Sequence, residues 1–270
     1  MAAEKTGLTF VVAVNDFPVY ENNFLSSPCL RSAGCRIVTV SGFPSASTAY
    51  NEGILRAQTD LVIFAHQDVF LPESWLDELE RSLEFLERED ASWGVLGCYG
   101  IAGDGKARGF LGTTGWGIIG SPLDRPEEVR TLDEILLIIR KSSGLAFDET
   151  LPHFHFYGTD ICLAAAARGR RCYAIPAFCL HNTNQILFLP EEFYECYRHV
   201  KKRWARCLPF RTSCILVSRF DREIYERKAR EWYARLFHRN RVPERRLENP
   251  AEYWGANKQR LTRMCLNRTR

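Results

Sequence analysis

Leu61-Val62-Ile63-Phe64-Ala65-His66-Gln67-Asp68 runs five apolar residues straight into an imidazole, an amide and a carboxylate, with no spacer between them. A short apolar run bounded by polar residues reads as a strand buried on both faces. Two comparable runs precede it, residues 8–14 (LTFVVAV) and 36–40 (RIVTV). Residues 47–57 (STAYNEGILRA) lie between the second and third runs and read as a helix capped by Ser or Thr. Residues 72–88 carry Pro near their start, with Trp75, Leu76, Leu79, Leu83 and Leu86 on one helical face. Strands alternating with helices predict an α/β fold, a mostly parallel mixed sheet flanked by helices. Ligands of such sheets sit beyond the carboxyl ends of the strands, here Asn15 and Asp16, Ser41 and Gly42, and His66 to Asp68.

Further along, residues 93–98 and 134–140 (EILLIIR) read as strands, and 158–168 as a helix ending at Gly169. Short apolar runs at 173–175 and 178–180 lead to His181. From residue 190 the pattern turns helical and basic. Residues 1–190 carry 15 Lys/Arg and 23 Asp/Glu, a balance of −8, whereas residues 191–270 carry 21 and 10, a balance of +11. The expected organisation is a domain over 1–190 and a basic helical C-terminal extension over 191–270.

The ten cysteines include no CxxC pair, which argues against a metal cluster or a disulfide scaffold. The N-terminus lacks a secretory pattern, and no apolar stretch approaches the roughly 20 residues of a membrane span. A cytoplasmic protein with reduced thiols is expected.

Asp68 at a strand's carboxyl end suits a divalent cation that neutralises a substrate diphosphate, or else caps the next helix. His181 offers an imidazole to the same ion, or a structural histidine. Asp160 opens a helix, as a general base or as a charge favoured by the helix dipole. Gly115-Trp116-Gly117-Ile118-Ile119-Gly120 matches a dinucleotide fingerprint literally, but no strand precedes it and Ser121-Pro122 follows where a helix should begin. A mobile Gly-rich loop carrying Trp116 is the better expectation, with Trp116 either closing over substrate or packed on the body.

Together these residues resemble the GT-A fold glycosyltransferases, in the family-2-type branch related to the StrF-like domain of streptomycin biosynthesis. The matching stretches are Ala49-Tyr50-Asn51-Glu52-Gly53-Ile54, Phe64-Ala65-His66-Gln67-Asp68-Val69-Phe70, Phe147-Asp148-Glu149, Phe154-His155-Phe156-Tyr157-Gly158-Thr159-Asp160-Ile161-Cys162-Leu163 and His181-Asn182. They span roughly residues 8–185 and leave the tail uncovered. The resemblance implies a Rossmann-like GT-A domain and a nucleotide-sugar donor, a UDP-sugar first, with a glycan or small-molecule acceptor and no nucleic acid. It implies Mn2+ or Mg2+ on Asp68 and His181, with His66 in place of the first Asp of the Asp-x-Asp motif. Val14, Asn15, Asp16, Ser41, Tyr50, Asn51 and Gln67 would meet the donor; Trp116, His155 and Tyr157 would face the acceptor or form a lid. Where many relatives carry the catalytic Asp this chain has Gly158, so the base falls to Asp160 or to Glu149.

Two other functions compete. A sugar nucleotidyltransferase needs a basic phosphate-gripping loop near the N-terminus, and residues 15–30 contain no Lys or Arg. A non-catalytic glycosyltransferase-like binding domain is compatible with Gly158 and His66. In the tail, Phe193, Tyr197, Val200 and Trp204 recur at helical spacing within 191–206, and Ile224, Trp232 and Leu236 within 221–239. Such stripes predict packing against the body. The alternative is outward-facing Lys201, Lys202, Arg203, Arg206, Arg241, Arg245 and Arg246, in peripheral contact with an anionic membrane.

Overall fold

The structure is a computed structural model that describes residues 7–31, 35–114, 116–184, 186, 188–237 and 245–257. Gly115 and Arg241 lie outside the described residues. In chain order the elements are β1 (Leu8–Ala13), α1 (Phe17–Asn22), β2 (Cys35–Val40), α2 (Ala46–Arg56), β3 (Leu61–His66), β4 (Val69–Phe70) and α3 (Trp75–Glu89). There follow β5 (Leu96–Gly97), β6 (Tyr99–Ile101), β7 (Ala107–Thr113), β8 (Gly117–Gly120), β9 (Glu127–Val129), β10 (Thr131–Leu132), β11 (Leu136–Arg140) and α4 (Tyr157–Ala167). The chain continues through β12 (Cys172–Ala174), β13 (Leu180–His181), α5 (Glu191–Arg203), β14 (Phe210–Arg211), β15 (Leu216–Val217) and α6 (Arg222–Leu236).

The main sheet runs β2-β1-β3-β11-β5-β12-β9. Strands β2, β1 and β3 are parallel, and β11 runs antiparallel to β3. Burial alternates along each central strand. Val11, Val62, Phe64, Leu137 and Ile139 join one apolar cluster, while Phe10, Val12, Ile63, Leu136 and Ile138 join another on the opposite face. Side chains of a strand point alternately to its two faces, so both faces need a cover. Helices α2, α4 and α5 cover the first face and α3 the second. The α3 stripe packs as its spacing predicts, through buried Trp75, Leu79 and Leu86 and partly buried Leu76 and Leu83.

Register brings the expected ligand-facing ends together. Ala13 lies opposite both Val40 and His66, so the chain leaves β1, β2 and β3 along one edge. A second sheet, β10-β6-β7-β13-β4, adds the rest. There β13 pairs antiparallel with β4, setting His181 opposite Val69 and thus beside Asp68.

Two expectations are corrected. The Gly-rich stretch is a paired hairpin, with β7 and β8 in register from Phe110↔Gly120 to Thr113↔Gly117. A strand therefore does precede the glycine motif, but residues 117–120 of the motif themselves form β8 and no helix follows, so no helix N-terminus is there to receive a pyrophosphate. The two tail stripes also behave differently. Phe193, Tyr197 and Val200 of α5 are buried in the same cluster as Phe156 and Tyr157, whereas Trp232 and Leu236 of α6 are 64% and 55% exposed.

The covering of the sheet is close. A Cβ added to Gly53 of α2 would lie 2.1 Å from Val11 Cγ1 of β1. Gly53→Ala is expected to cost about 1–3 kcal/mol through overpacking, read from denaturant unfolding. Unchanged stability would mean that α2 does not lie this close to the sheet.

Candidate active site

The shared edge of the two sheets opens into a cavity of about 760 Å³. Of the sequence-predicted residues, Val14, Asn15, Ser41, Tyr50, His66, Gln67, Asp68, Trp116, His155, Tyr157 and His181 line it. Asp16, Asn51, Glu149 and Asp160 are not among its lining residues, and each has another task.

Asp16 caps α1 by accepting from Val19 N, and its own backbone N–H donates to Gln67 Oε1. Gln67 also accepts from Asn15 N and donates to Asn15 Oδ1, stitching the end of β3 to the end of β1. Asn51 brackets the 147–149 segment, accepting from Phe147 N and donating to Phe147 O and Glu149 Oε1. Glu149 itself is exposed. Asp160 is 2% exposed, and its Oδ1 accepts from Trp204 Nε1 at 2.7 Å and pairs with Arg203 Nε at 3.2 Å. That carboxylate ties α4 to the end of α5.

At the carboxyl ends of β3 and β13, one ligand atom from each of His66, Asp68 and His181 lies within 4.8 Å of the others. Asp68 is 7% exposed, with Oδ1 3.3 Å from His181 Nε2 and Oδ2 3.2 Å from Arg246 Nη2. Burial would raise its carboxyl, but the charge and hydrogen bond of His181, with His66 and Arg246, hold it well below the usual carboxylate range. Burial, reinforced by His181, pulls the His66 imidazole down to about 4, so its ring is neutral at neutral pH. Tyr157 Oη donates to Glu134 O at 2.9 Å and meets His66 Nε2 at 2.6 Å.

One carboxylate and two imidazoles, the first ionised and His66 neutral, fit a divalent transition metal. The nitrogen donors suit Mn2+ better than Mg2+, which prefers oxygen.

Two acidic residues that the sequence left unremarked also line the cavity, Asp133 and Glu134. The run read as a strand from 134 begins pairing only at Leu136, because Asp133 is turned: its N–H donates to Tyr99 O and its Oδ1 accepts from Ile135 N. Glu134 sits at the N-terminus of α4, where the Phe156 and Gly158 amides hydrogen-bond its carboxylate. A Cβ on Gly158 would lie 3.0 Å from Glu134 Cγ, so Glu134 fills the space that a side chain at 158 would need. Burial, with Asp133 adding repulsion, lifts its carboxyl well above the ordinary glutamate value despite those two amides.

Trp116 is 70% exposed at the turn between β7 and β8, on the cavity rim. The tail contributes Phe193, Thr212, Ser213 and Cys214 to the same cavity. Arg246, Lys201 and Arg203 are ion-paired: Arg246 with Asp68, Lys201 with Asp221, and Arg203, itself exposed, with Asp148 and Asp160. Lys202, Arg206 and Arg245 are exposed.

Among solved structures, GalNAc-T7 with UDP, GalNAc and Mn2+ matches at a TM-score of 0.50 and 10% identity, over 74% of this chain and 49% of that one. TarS of S. aureus matches at 0.48 and 13%, over 73% and 39%. The chain thus spans about half the length of the GalNAc-T7 chain. The fold is that of the GT-A glycosyltransferases. No family model matches the sequence. A protein of Fuscovulum blasticum called ATP synthase subunits region ORF 6 is 30% identical over 183 residues, covering 61% of this chain and 67% of that protein. The chain belongs to the same family as that protein.

Glu134 links the site to stability. Its folded-state value lies above that of the unfolded chain, so stability carried by the protonated form is full below the ordinary glutamate range and is lost as pH rises through the folded value. Glu134→Gln is expected to match the wild type at low pH and to gain on it as pH rises, measured by urea unfolding between pH 4 and 8. A constant difference between the two proteins would contradict the raised carboxyl.

Proposed function

We propose that this protein transfers a sugar from a nucleotide-sugar donor to an acceptor hydroxyl with inversion, assisted by Mn2+, in the family-2-type, StrF-like manner that its motifs suggest. The observation that carries the reading is the His66, Asp68 and His181 cluster, at the strand ends of a GT-A fold and open to a cavity of donor size. A relative in fold, GalNAc-T7, was solved with UDP, GalNAc and Mn2+, which supports the same ligand classes.

In this reading Val14, Asn15 and Ser41 meet the nucleoside, with Gln67 holding the turn at Asn15 and Asp16. Asp68, His181 and His66 would hold the ion, which when bound would supply positive charge to the departing nucleoside diphosphate. Glu134 takes the place of Asp160 and Glu149 as general base. It receives the acceptor's hydroxyl proton as the acceptor oxygen bonds to the anomeric carbon and the bond from that carbon to the phosphate oxygen breaks. Attack from the face opposite the leaving group inverts the centre. A carboxyl whose pKa is raised is, once ionised, a stronger proton acceptor than an ordinary one. Trp116, His155 and Tyr157 border the sugar and acceptor side, with Trp116 placed to stack on a sugar ring.

Two variants separate these roles. Asp68→Ala is expected to abolish Mn2+ binding and turnover, while Glu134→Gln lowers kcat at least about 100-fold and leaves donor affinity nearly unchanged. The assay is donor hydrolysis and transfer with added Mn2+, after thermal-shift selection among nucleotide sugars. A near-wild-type Glu134→Gln, with Asp160→Asn inactive, would return the base to Asp160. Nucleotide binding with neither hydrolysis nor transfer would favour a binding domain.

One observation supports membrane contact. Tyr225, Trp232, Tyr233 and Leu236 of α6 stay exposed, as does Phe237, on a helix that also carries Arg222, Arg227, Lys228, Arg230 and Arg235. No helix among the described residues is long and apolar enough to cross a membrane. Aromatic side chains beside basic ones suit the surface of an anionic bilayer. Sedimentation with vesicles is expected to rise with anionic-lipid content and to fall from low to physiological salt. Absence of binding at both salts would leave α6 a solvent-facing helix.

A further inference from the structure

The C-terminal segment is joined to the site by more than a surface ion pair. Asn182, wholly buried, directs its side-chain amide at the backbone of Leu247 in both senses: Leu247 N donates to Asn182 Oδ1 at 2.7 Å, and Asn182 Nδ2 donates to Leu247 O at 2.9 Å. The same amide is completed by Thr114 Oγ1, which donates to Oδ1, and by Asn23 Oδ1, which accepts from Nδ2. The amide of Asn182 thus pairs with Leu247 as a neighbouring strand would. Asn184 Oδ1 accepts from Arg246 N, and Trp254 stacks on Phe178 with ring centroids 5.4 Å apart. Between these anchors Arg246 turns inward, with Nε donating to Asn182 O at 2.7 Å and Nη2 to Asp68 Oδ2 at 3.2 Å.

We propose that Arg246 is a fixed cation of the donor's diphosphate site, delivered by residues 245–257; the assignment rests on the nucleotide-sugar reading of the same site. Asp68 carries one negative charge, and a divalent ion there leaves the site one positive charge short of the two negative charges of a nucleotide sugar's diphosphate. A guanidinium anchored beside that ion makes up part of the difference. Its Nη1 is engaged by neither Asn182 nor Asp68, and guanidinium geometry suits phosphate oxygens. The clamp on Leu247 keeps the group at this depth whether or not a donor is bound.

The test is calorimetric titration of wild type, Arg246→Gln and Arg246→Lys with UDP and with uridine, in Mn2+, and separately with Mn2+ alone. Arg246→Gln is expected to bind UDP about 10-fold more weakly while uridine stays within about twofold, because only the diphosphate meets the lost charge. Arg246→Lys retains most of the UDP affinity. Mn2+ alone is expected to bind Arg246→Gln no more weakly than wild type, since a positive charge beside the ion has been removed. UDP affinity unchanged in Arg246→Gln, or UDP and uridine falling together, overturns the assignment. Weaker Mn2+ binding also overturns it, making Arg246 a support for Asp68 alone. A wild type that binds no UDP in Mn2+ sinks the donor reading and this assignment with it.

Discussion

Strand β3 is the member on which the site depends. Its residues 61–65 are buried between two apolar clusters, and its partners on either side, β1 and β11, are buried likewise. Because a one-residue slip would turn every apolar side chain to the wrong face, the register of β1 and β3 admits little variation, and β2 pairs in step with β1. Their ends therefore coincide, and the polar residues that follow each strand emerge together. Gln67 joins two of these ends directly through three hydrogen bonds.

On that edge the chain gathers groups that would be costly elsewhere. A nearly buried carboxylate is tolerated at Asp68 because His181 approaches from one oxygen and Arg246 from the other. A half-buried carboxyl, at Glu134, is kept protonated to higher pH by desolvation and by Asp133, although two amides at the start of α4 bind it. The two environments push their carboxyls in opposite directions, and sites that hold one acid ionised and another poised are suited to acid–base chemistry. Asp160 shows the contrast. It too is buried, but its partners Trp204 and Arg203 belong to the packing of α4 and α5.

Gly158 gains its meaning from this arrangement. A side chain there would crowd Glu134, so the glycine leaves room for a carboxylate arriving from another part of the chain. Phe156, two residues before it, adopts φ +65°, a conformation uncommon for an aromatic residue. Its ring lies 4.8 Å from Phe193 of α5, so packing from the tail supports the turn that presents the amides of 156 and 158 to Glu134.

The fold and half of the site were legible in the sequence, because they are written in local patterns. Apolar runs of strand length, helical stripes and polar residues at strand ends report the solvent exposure of neighbouring positions, and burial is what organises an α/β sheet. Asp68 and His181 were singled out in this way, at the ends of apolar runs, and His66 through the family resemblance. What folding alone decided are the meetings between residues far apart in the chain. Glu134 against Gly158, Asn182 with Leu247 and Arg246 with Asp68 leave no periodic trace, since each contact is set by how sheets, helices and tail pack in three dimensions. The charge excess of residues 191–270 was visible from composition, but which of its cations turned inward depended on buried carboxylates awaiting a partner, and only tertiary packing creates those.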